Sequence, residues 1–405
     1  MKKSFRCTTC WASFELSQLR YIAEHPSLTS DPVAGKDTML RFRASVFDNR
    51  GAAVDPAGAS CTSIACPRCR CELPRRLLAD PMLPISVVGS PASGKSCLLA
   101  TGLRALRKCG PKLGFSLIDA APSLNTHIHD LEEKLFPQEA DESHVHIGKT
   151  DPSDLSTYEQ IVTGIGETTV PRPIHLTWCD KENPSRTIVF QDTAGEAFVH
   201  KNKMSPAIEH LASASSIIFV LDPLQDPATR HALHVNDPQL DLFEKGGSSR
   251  QDLLILETAD RIRRLKGLSN ERQLDIPMIF VINKFDAWSS LLKDVDVPEN
   301  PILQDNKGNS HLDDQLINEA NTYTRNMLTE YVPDWIDSID SISSNATIIP
   351  CAPLGISPTG NEFGALEINT ARVSPIWAHI PFLLAIQKGF KFEQEQLDDS
   401  SMDQL

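Results

Sequence analysis

Short apolar runs of β-branched character alternate along the chain with stretches whose apolar residues recur at helical spacing. The runs lie at 85–88, 174–178, 187–191, 216–221, 278–282 and 347–350. None alternates cleanly between apolar and polar, so the pattern predicts buried strands covered on both faces rather than strands with one wet side. Helical periodicity predicts helices over 95–109, 123–135, 205–212, 250–265, 312–331 and 375–388. Strands and helices in this order imply a doubly wound α/β domain. No internal repeat interrupts it.

Two stretches break the pattern. Residues 1–80 are rich in Cys, Arg and turn formers, with loops expected at 27–37 and 48–60. Residues 393–405 are acidic and polar and read as a frayed tail. The expected division is a cysteine-rich module at 1–80, the α/β domain at 81–392 and the tail at 393–405.

Charge and composition then exclude whole classes. With 39 Lys and Arg against 53 Asp and Glu, the net charge is −14. That argues against DNA, RNA or an anionic membrane as a partner of the whole chain. No apolar run approaches the roughly 20 residues that span a bilayer, so no membrane insertion is expected. The start meets polar residues and cysteines where a signal peptide would be apolar, so a cytoplasmic location is expected.

Six of the 10 cysteines precede residue 72: Cys7, Cys10, Cys61, Cys66, Cys69 and Cys71. In a reducing compartment such clustering suggests a metal before disulfides. Cys7-x-x-Cys10 and Cys66-x-x-Cys69 form two knuckles able to set four thiolates tetrahedrally around Zn²⁺. The 55 residues between Cys10 and Cys66 exceed what a compact ribbon needs, so 31–60 reads as a looped insertion. Cys61 or Cys71 could replace one ligand.

Three motifs follow predicted strands. Gly89, Ser93, Gly94, Lys95 and Ser96 belong to G-x-x-x-x-G-K-S/T between a strand and a helix, continued by Cys97. The glycines let successive N–H groups and a helix N-terminus face one phosphate chain; Lys95 reaches its terminal phosphates and the Ser96 hydroxyl can bind Mg²⁺. Asp192 to Gly195 form D-x-x-G, which suits a carboxylate near the metal and a backbone N–H on a γ-phosphate. Asn283, Lys284 and Asp286 form N-K-x-D. The Asp286 carboxylate can accept from guanine's ring N–H and amine, a donor pair that adenine lacks.

The three motifs in this order resemble the Ras-like P-loop GTPases of the translation-factor-related class, over roughly residues 84–390. The resemblance implies a doubly wound P-loop GTPase domain that binds GTP and GDP with Mg²⁺ and hydrolyses GTP, its state read by a protein effector. It assigns Cys351 and Ala352 to the loop whose backbone N–H meets the guanine oxygen, with Cys351 where the family commonly has Ser. It assigns Thr169, or the neighbouring Thr168, to the residue that closes on Mg²⁺ and γ-phosphate. Lys95, Thr169, Gly195 and Glu196 are then the catalytic set, although Glu196 stands where such proteins commonly carry the Gln that orients water. A large switch-region insertion at about 113–165 separates the first motif from the second. Asp192 to Glu196, this insertion and the zinc-ribbon-like start look like a bacterial double-GTPase-type family, which implies a regulatory or conflict role and a second GTPase subunit as a partner. A GTP-dependent scaffold with little hydrolysis, or a ribosome- or RNA-associated GTPase, would use the same residues.

The remaining polar clusters have plainer explanations. His127 and His129, two apart on a predicted helix, point to opposite sides and form no ligand pair. With His144 and His146 they read as solvated. Arg261, Arg263, Arg264 and Lys266 read as a solvated face or a partner surface.

Overall fold

The computed structural model describes residues 4–137, 144–146, 154, 156–163, 166–181, 184–193, 206–233, 250–292, 295, 297–298, 301–304, 310–360 and 366–402. Strands β1 (Ser4–Arg6) and β2 (Ser13–Glu15) form a hairpin across the first cysteine pair. Strands β3 (Arg20–Ile22), β4 (Arg41–Phe42), β5 (Ile64–Ala65) and β6 (Glu72–Leu73) make a second sheet in the order β6-β5-β3-β4. The stretch expected as looped insertion is ordered in part: Thr29–Asp31 pairs with Gly35–Met39, and Ala53–Val54 with Ser60–Cys61. Buried aspartates hold its turns. Asp55 accepts from the N–H groups of Glu24, His25, Ala57 and Ala59, so one side chain replaces the ladder that the loop composition denies.

The α/β domain follows with β7 (Met82–Gly89), α1 (Lys95–Cys109), β8 (Phe115–Asp119) and α2 (Thr126–Leu135). A hairpin of β9 (Tyr158–Thr163) and β10 (Gly166–Pro171) leads into β11 (Ile174–Asp180) and β12 (Arg186–Thr193). Then come α3 (Pro206–Ser213), β13 (Ser216–Leu221), α4 (Pro227–Leu233), α5 (Gln251–Lys266), β14 (Met278–Ile282), α6 (Asp314–Tyr331), α7 (Pro333–Ile342), β15 (Ala346–Pro350), β16 (Leu366–Asn369) and α8 (Ile380–Met402). The central sheet has seven strands in the order β8-β11-β12-β7-β13-β14-β15. β12, β7, β13, β14 and β15 run parallel, while at one side β11 runs antiparallel to its neighbours β12 and β8, so β8 shares the direction of the parallel set.

The unbroken apolar runs have a direct cause in this arrangement. Along β13, Ile218 and Val220 join one core with α1, α6 and α8, while Ile217, Phe219 and Leu221 join another with α3, α5 and α7. Both faces are covered, so neither parity can be polar.

Three expectations change. The insertion begins later than 113, because Phe115–Asp119 is itself an edge strand paired with β11. The tail is not frayed at 393: α8 continues to Met402, and Glu393 takes hydrogen bonds from Arg186 (2.9 Å) and Ser215 (2.7 Å). Burial raises its pKa, and these donors favour the charged form. The β9–β10 hairpin also belongs to the cysteine module's core: Ile161 and Val170 pack with Phe5, Phe14, Ile64 and Leu77.

Candidate functional site

Strand order reverses at β7: the next strands in sequence add on one side, and β13, β14 and β15 on the other. In an open α/β sheet, a crevice for ligands lies outside the carboxyl ends of the strands at such a point. The first and third sequence motifs emerge there, as does the described start of the second. Asp192 stands beside Val87 in the β7–β12 ladder, near the strand ends.

Residue 94 turns the loop into α1 with a φ of 89°, a conformation that favours glycine. A Cβ there would also run into Asn283 Nδ2, while one on Gly89 would come within 2.5 Å of Val220 O. Lys95 folds back so that its ammonium donates to Gly89 O (2.8 Å) and Ser90 O (2.9 Å), across the mouth of the loop. Ser96 and Cys97 lie in the first turn of α1, where burial pushes the Cys97 thiol up to about 11.

The third motif is tied to the first. Asn283 Nδ2 donates to Ser93 O at 2.6 Å, and Trp288 Nε1 holds Asn283 O at 2.7 Å. Lys284 has a φ of 59° and puts its ammonium 2.7 Å from a carboxylate oxygen of Asp222. Asp286 borders a cavity of about 380 Å³, also lined by Gly355, Ile356, Ser357, Glu367 and Arg372. Two buried polar atoms at the junction of the loops, Ser93 Oγ and Asn283 Oδ1, have no partner among the described residues. Those orphaned polar atoms at the loop junction fit a bound polar ligand such as a nucleotide.

Sequence reasoning missed the support behind this loop. Ser90 Oγ donates to Gln225 Oε1 (2.9 Å), and Gln225 Nε2 to Pro91 O (3.0 Å). Gln251 closes the set by accepting from Asp222 N (2.9 Å) and donating to Asp222 O (2.8 Å). Asp222 was findable as a polar residue directly after a buried run, the signal that marked Asp192. The two glutamines follow no strand and carry no pattern.

One expected donor is engaged within the chain. The Ala352 N–H, expected to meet a guanine oxygen, donates to Ile376 O (3.0 Å), and Ile376 N donates back to Ala352 O (2.8 Å). The chain leaves β15 into an antiparallel bridge, so that donor is spent. Cys351 N likewise donates to Ile282 O, and its thiol is buried and raised. The backbone bordering the cavity is Gly355, with a φ of 66°.

Thr168 and Thr169 stand in the β9–β10 ladder opposite Ile161 and Gln160. Their backbone is held by strand pairing rather than poised in a loop. Gly195 and Glu196 lie outside the described residues.

The four knuckle cysteines converge. Cys7, Cys10, Cys66 and Cys69 are buried, with their sulfurs all within 4.8 Å of one another. The pairs Cys7–Cys69 and Cys10–Cys66 are each 3.7 Å apart. A tetrahedron with Zn–S near 2.3 Å requires S···S of about 3.8 Å, so the set fits zinc. Backbone N–H groups of Thr9, Cys10 and Arg68 point at these sulfurs from 3.3, 3.4 and 3.3 Å. Cys61 turns to Asp55 and Ala59, and Cys71 to the Cys69 carbonyl, so neither joins the group.

The module meets the domain through polar and aromatic contacts. His175 Nε2 lies 2.9 Å from Thr8 Oγ1, and Arg6 donates to Ser213 Oγ at 2.6 Å. Trp11 packs on His210, whose Nδ1 is 2.6 Å from Ser86 Oγ on β7. Burial drives the His175 pKa down to about 3, so its ring is neutral at pH 7.

The other clusters match their expected solvated state in part: His144, His146, Arg264 and Lys266 are exposed, and the rest differ. His127 is half-buried, its pKa pushed down to about 4 chiefly by burial, and His129 faces Asp119 at 3.2 Å. Arg263 is buried against Arg272 O, while Arg261 and Arg264 pair with Glu257 and Asp260 on their own helix.

No family model matches the chain, and no curated protein matches it. A solved structure described as sup35 complexed with GDP aligns at 12% identity over 69% of this chain, with a TM-score of 0.23. The chain thus spans 39% of that protein's length. So slight a likeness assigns neither fold nor ligand.

Proposed function

We propose that this protein is a GTP-binding switch that hydrolyses GTP slowly on its own. The observation that carries the reading is the Asn283–Ser93 bond, which joins a base-reading loop to a phosphate loop at the reversal of strand order. Gly89, Gly94, Lys95 and Ser96 would hold the phosphates, and Asp286 the base. Ser96 and Asp192 would hold Mg²⁺, with Thr169 closing on it once the hairpin moves. Bound Mg²⁺ would neutralise phosphate charge. Cys7, Cys10, Cys66 and Cys69 would hold a structural Zn²⁺. A protein effector or second GTPase subunit in the cytoplasm completes the proposal.

Guanine selectivity tests it. Wild-type protein should bind GTP and GDP but reject ATP by about 10⁴-fold or more, because adenine leaves a desolvated carboxylate unpaired. Asp286→Asn should narrow that gap in titrations with labelled nucleotides. Equal wild-type affinity for ATP and GTP would end the reading.

Hydrolysis is expected to be slow because an ionised Glu196 cannot donate to the attacking water as a neutral amide does. Single-turnover assays on the isolated chain should give a rate well below about 1 per second, and Glu196→Gln should alter that rate while leaving GTP affinity similar. Rapid turnover by the wild-type chain would rule out dependence on a partner.

A further inference from the structure

The acidic balance of the whole chain conceals a basic end. Residues 1–80 carry 12 Lys and Arg against 8 Asp and Glu, although the chain as a whole carries 39 against 53. Part of this excess gathers on one sheet face. Tyr21 pairs with Phe42 and Ile22 with Arg41, so Arg20, Ile22 and Arg41 share one face, and Tyr21 and Phe42 the other. Arg43 follows β4 directly. Arg70 projects from the second knuckle, where the bond from its N–H to Cys66 O accompanies a left-handed φ of 64°.

These arginines crowd one another with partial compensation: Asp31 attracts Arg20 and Arg70, and Arg41 Nη1 donates to the Met39 carbonyl at 2.5 Å. Burial, then the charges of Arg70 and Arg43, lower the pKa of Arg20 against the opposing pull of Asp31. Four of their donors are buried with no acceptor among the described residues: Nε of Arg20, Arg41 and Arg70, and Nη1 of Arg70. Asp31 lends them charge, but among the described residues no hydrogen bond joins it to their side chains, and most of its acceptor capacity is used by the backbone. Its oxygens accept the N–H groups of Val33, Ala34 and Arg41, each at 2.9 Å. Buried unsatisfied donors on charged groups are costly, and a fold that keeps several together needs a reason.

We propose that this face, formed by Arg20, Arg41 and Arg43 with Arg70 at its edge, is a binding site for a phosphate group. A carboxylate is filled by one or two guanidinium forks. A phosphate offers more acceptor oxygens and more charge, which suits several planar forks converging from different strands. The site is separate from the strand-end loops and does not rest on the nucleotide reading. The phosphate could be a free anion or part of a single-stranded RNA backbone; the chemistry is the same.

Full-length protein, loaded with zinc, is titrated with inorganic phosphate and with a short single-stranded RNA lacking a 5′ phosphate. Wild type is compared with Arg20→Gln, Arg43→Gln and Arg70→Asn, the last chosen because Asn tolerates a left-handed φ. Lys95→Ala separates this site from the phosphate loop, and zinc stoichiometry reports the fold of each variant.

Salt-sensitive binding that falls about tenfold or more in the arginine variants, yet persists in Lys95→Ala, supports the site. RNA binding identifies a polymer backbone, with the salt slope falling by about 0.7 for each phosphate that a variant no longer neutralises; binding of phosphate alone identifies a free anion. Should Arg70→Asn release zinc, the Arg20 and Arg43 variants decide. No binding of either probe, or equal binding by wild type and folded arginine variants, overturns the proposal.

Discussion

Purified protein should contain one zinc per chain, and a strong chelator should unfold the cysteine module while the central sheet survives. Four buried sulfurs at tetrahedral spacing carry this expectation. The apolar cluster around them is small: Phe5, Phe14, Leu19, Ile64, Leu73 and Leu77 supply most of its bulk. Zinc binding contributes on the order of 10–16 kcal/mol in small zinc-finger modules, more than such a cluster can replace. Because Ile161 and Val170 belong to the same cluster, the disturbance should not stop at the module boundary. Hydrogen exchange after chelation should accelerate across 4–78 and also across 158–171, with the β7, β13 and β14 amides still protected. Trp11, buried beside Cys10, should shift its fluorescence to the red. Protein purified with thiol protection that lacks zinc, or a module that keeps its protection after metal removal, would sink the idea.

That linkage changes what the first 80 residues can do. They pack on the hairpin leading into β11, through Ile161 and Val170, and on α3, through Arg6 and Trp11. These elements flank the stretches where the resemblance places its nucleotide-sensitive switches. A module held on both is coupled to each, so loosening it should be felt in the hairpin and in α3.

How much was legible follows from where the chemistry is local. β13 and β14 could be bounded to the residue because Ile217–Leu221, behind a single Ser216, and Met278–Ile282 are apolar throughout and end in polar loops. β8 was missed because Phe115–Asp119 lies at a sheet edge, where Ser116 and Ile118 are exposed and the apolar signal halves. α7 was missed because Pro333 reads as a breaker, whereas at the first turn of a helix it is well tolerated. The knuckles were legible as spacing, since a four-thiolate site requires paired turns. Their joining across 55 residues was legible from the same spacing; the paired strands and the Asp55 turn that order the intervening chain were not. The bridge at Ala352 was not legible because a motif specifies residues but not a distant strand partner; Ile376 takes the N–H, and nothing near Cys351 announces it.

Lys95→Ala should reduce nucleotide affinity by about 10²- to 10⁴-fold and leave the fold standing. The side chain is half-buried, and its ammonium bonds two loop carbonyls, Gly89 O and Ser90 O. That position holds the charge at the loop mouth before any phosphate arrives, so little reordering is needed for it to bind one. Each charge-assisted bond to phosphate contributes roughly 1.5–3 kcal/mol, and two such bonds give the stated range. The fold should tolerate the substitution because the loop has other supports: Asn283 on Ser93 O, Gln225 on Pro91 O and Ser90 on Gln225. Thermal unfolding without nucleotide should therefore move little, while the stabilisation that GDP confers on wild type should vanish. A variant that keeps wild-type affinity would show that Lys95 is only a strut between loop carbonyls, and the phosphate loop would have to be sought elsewhere.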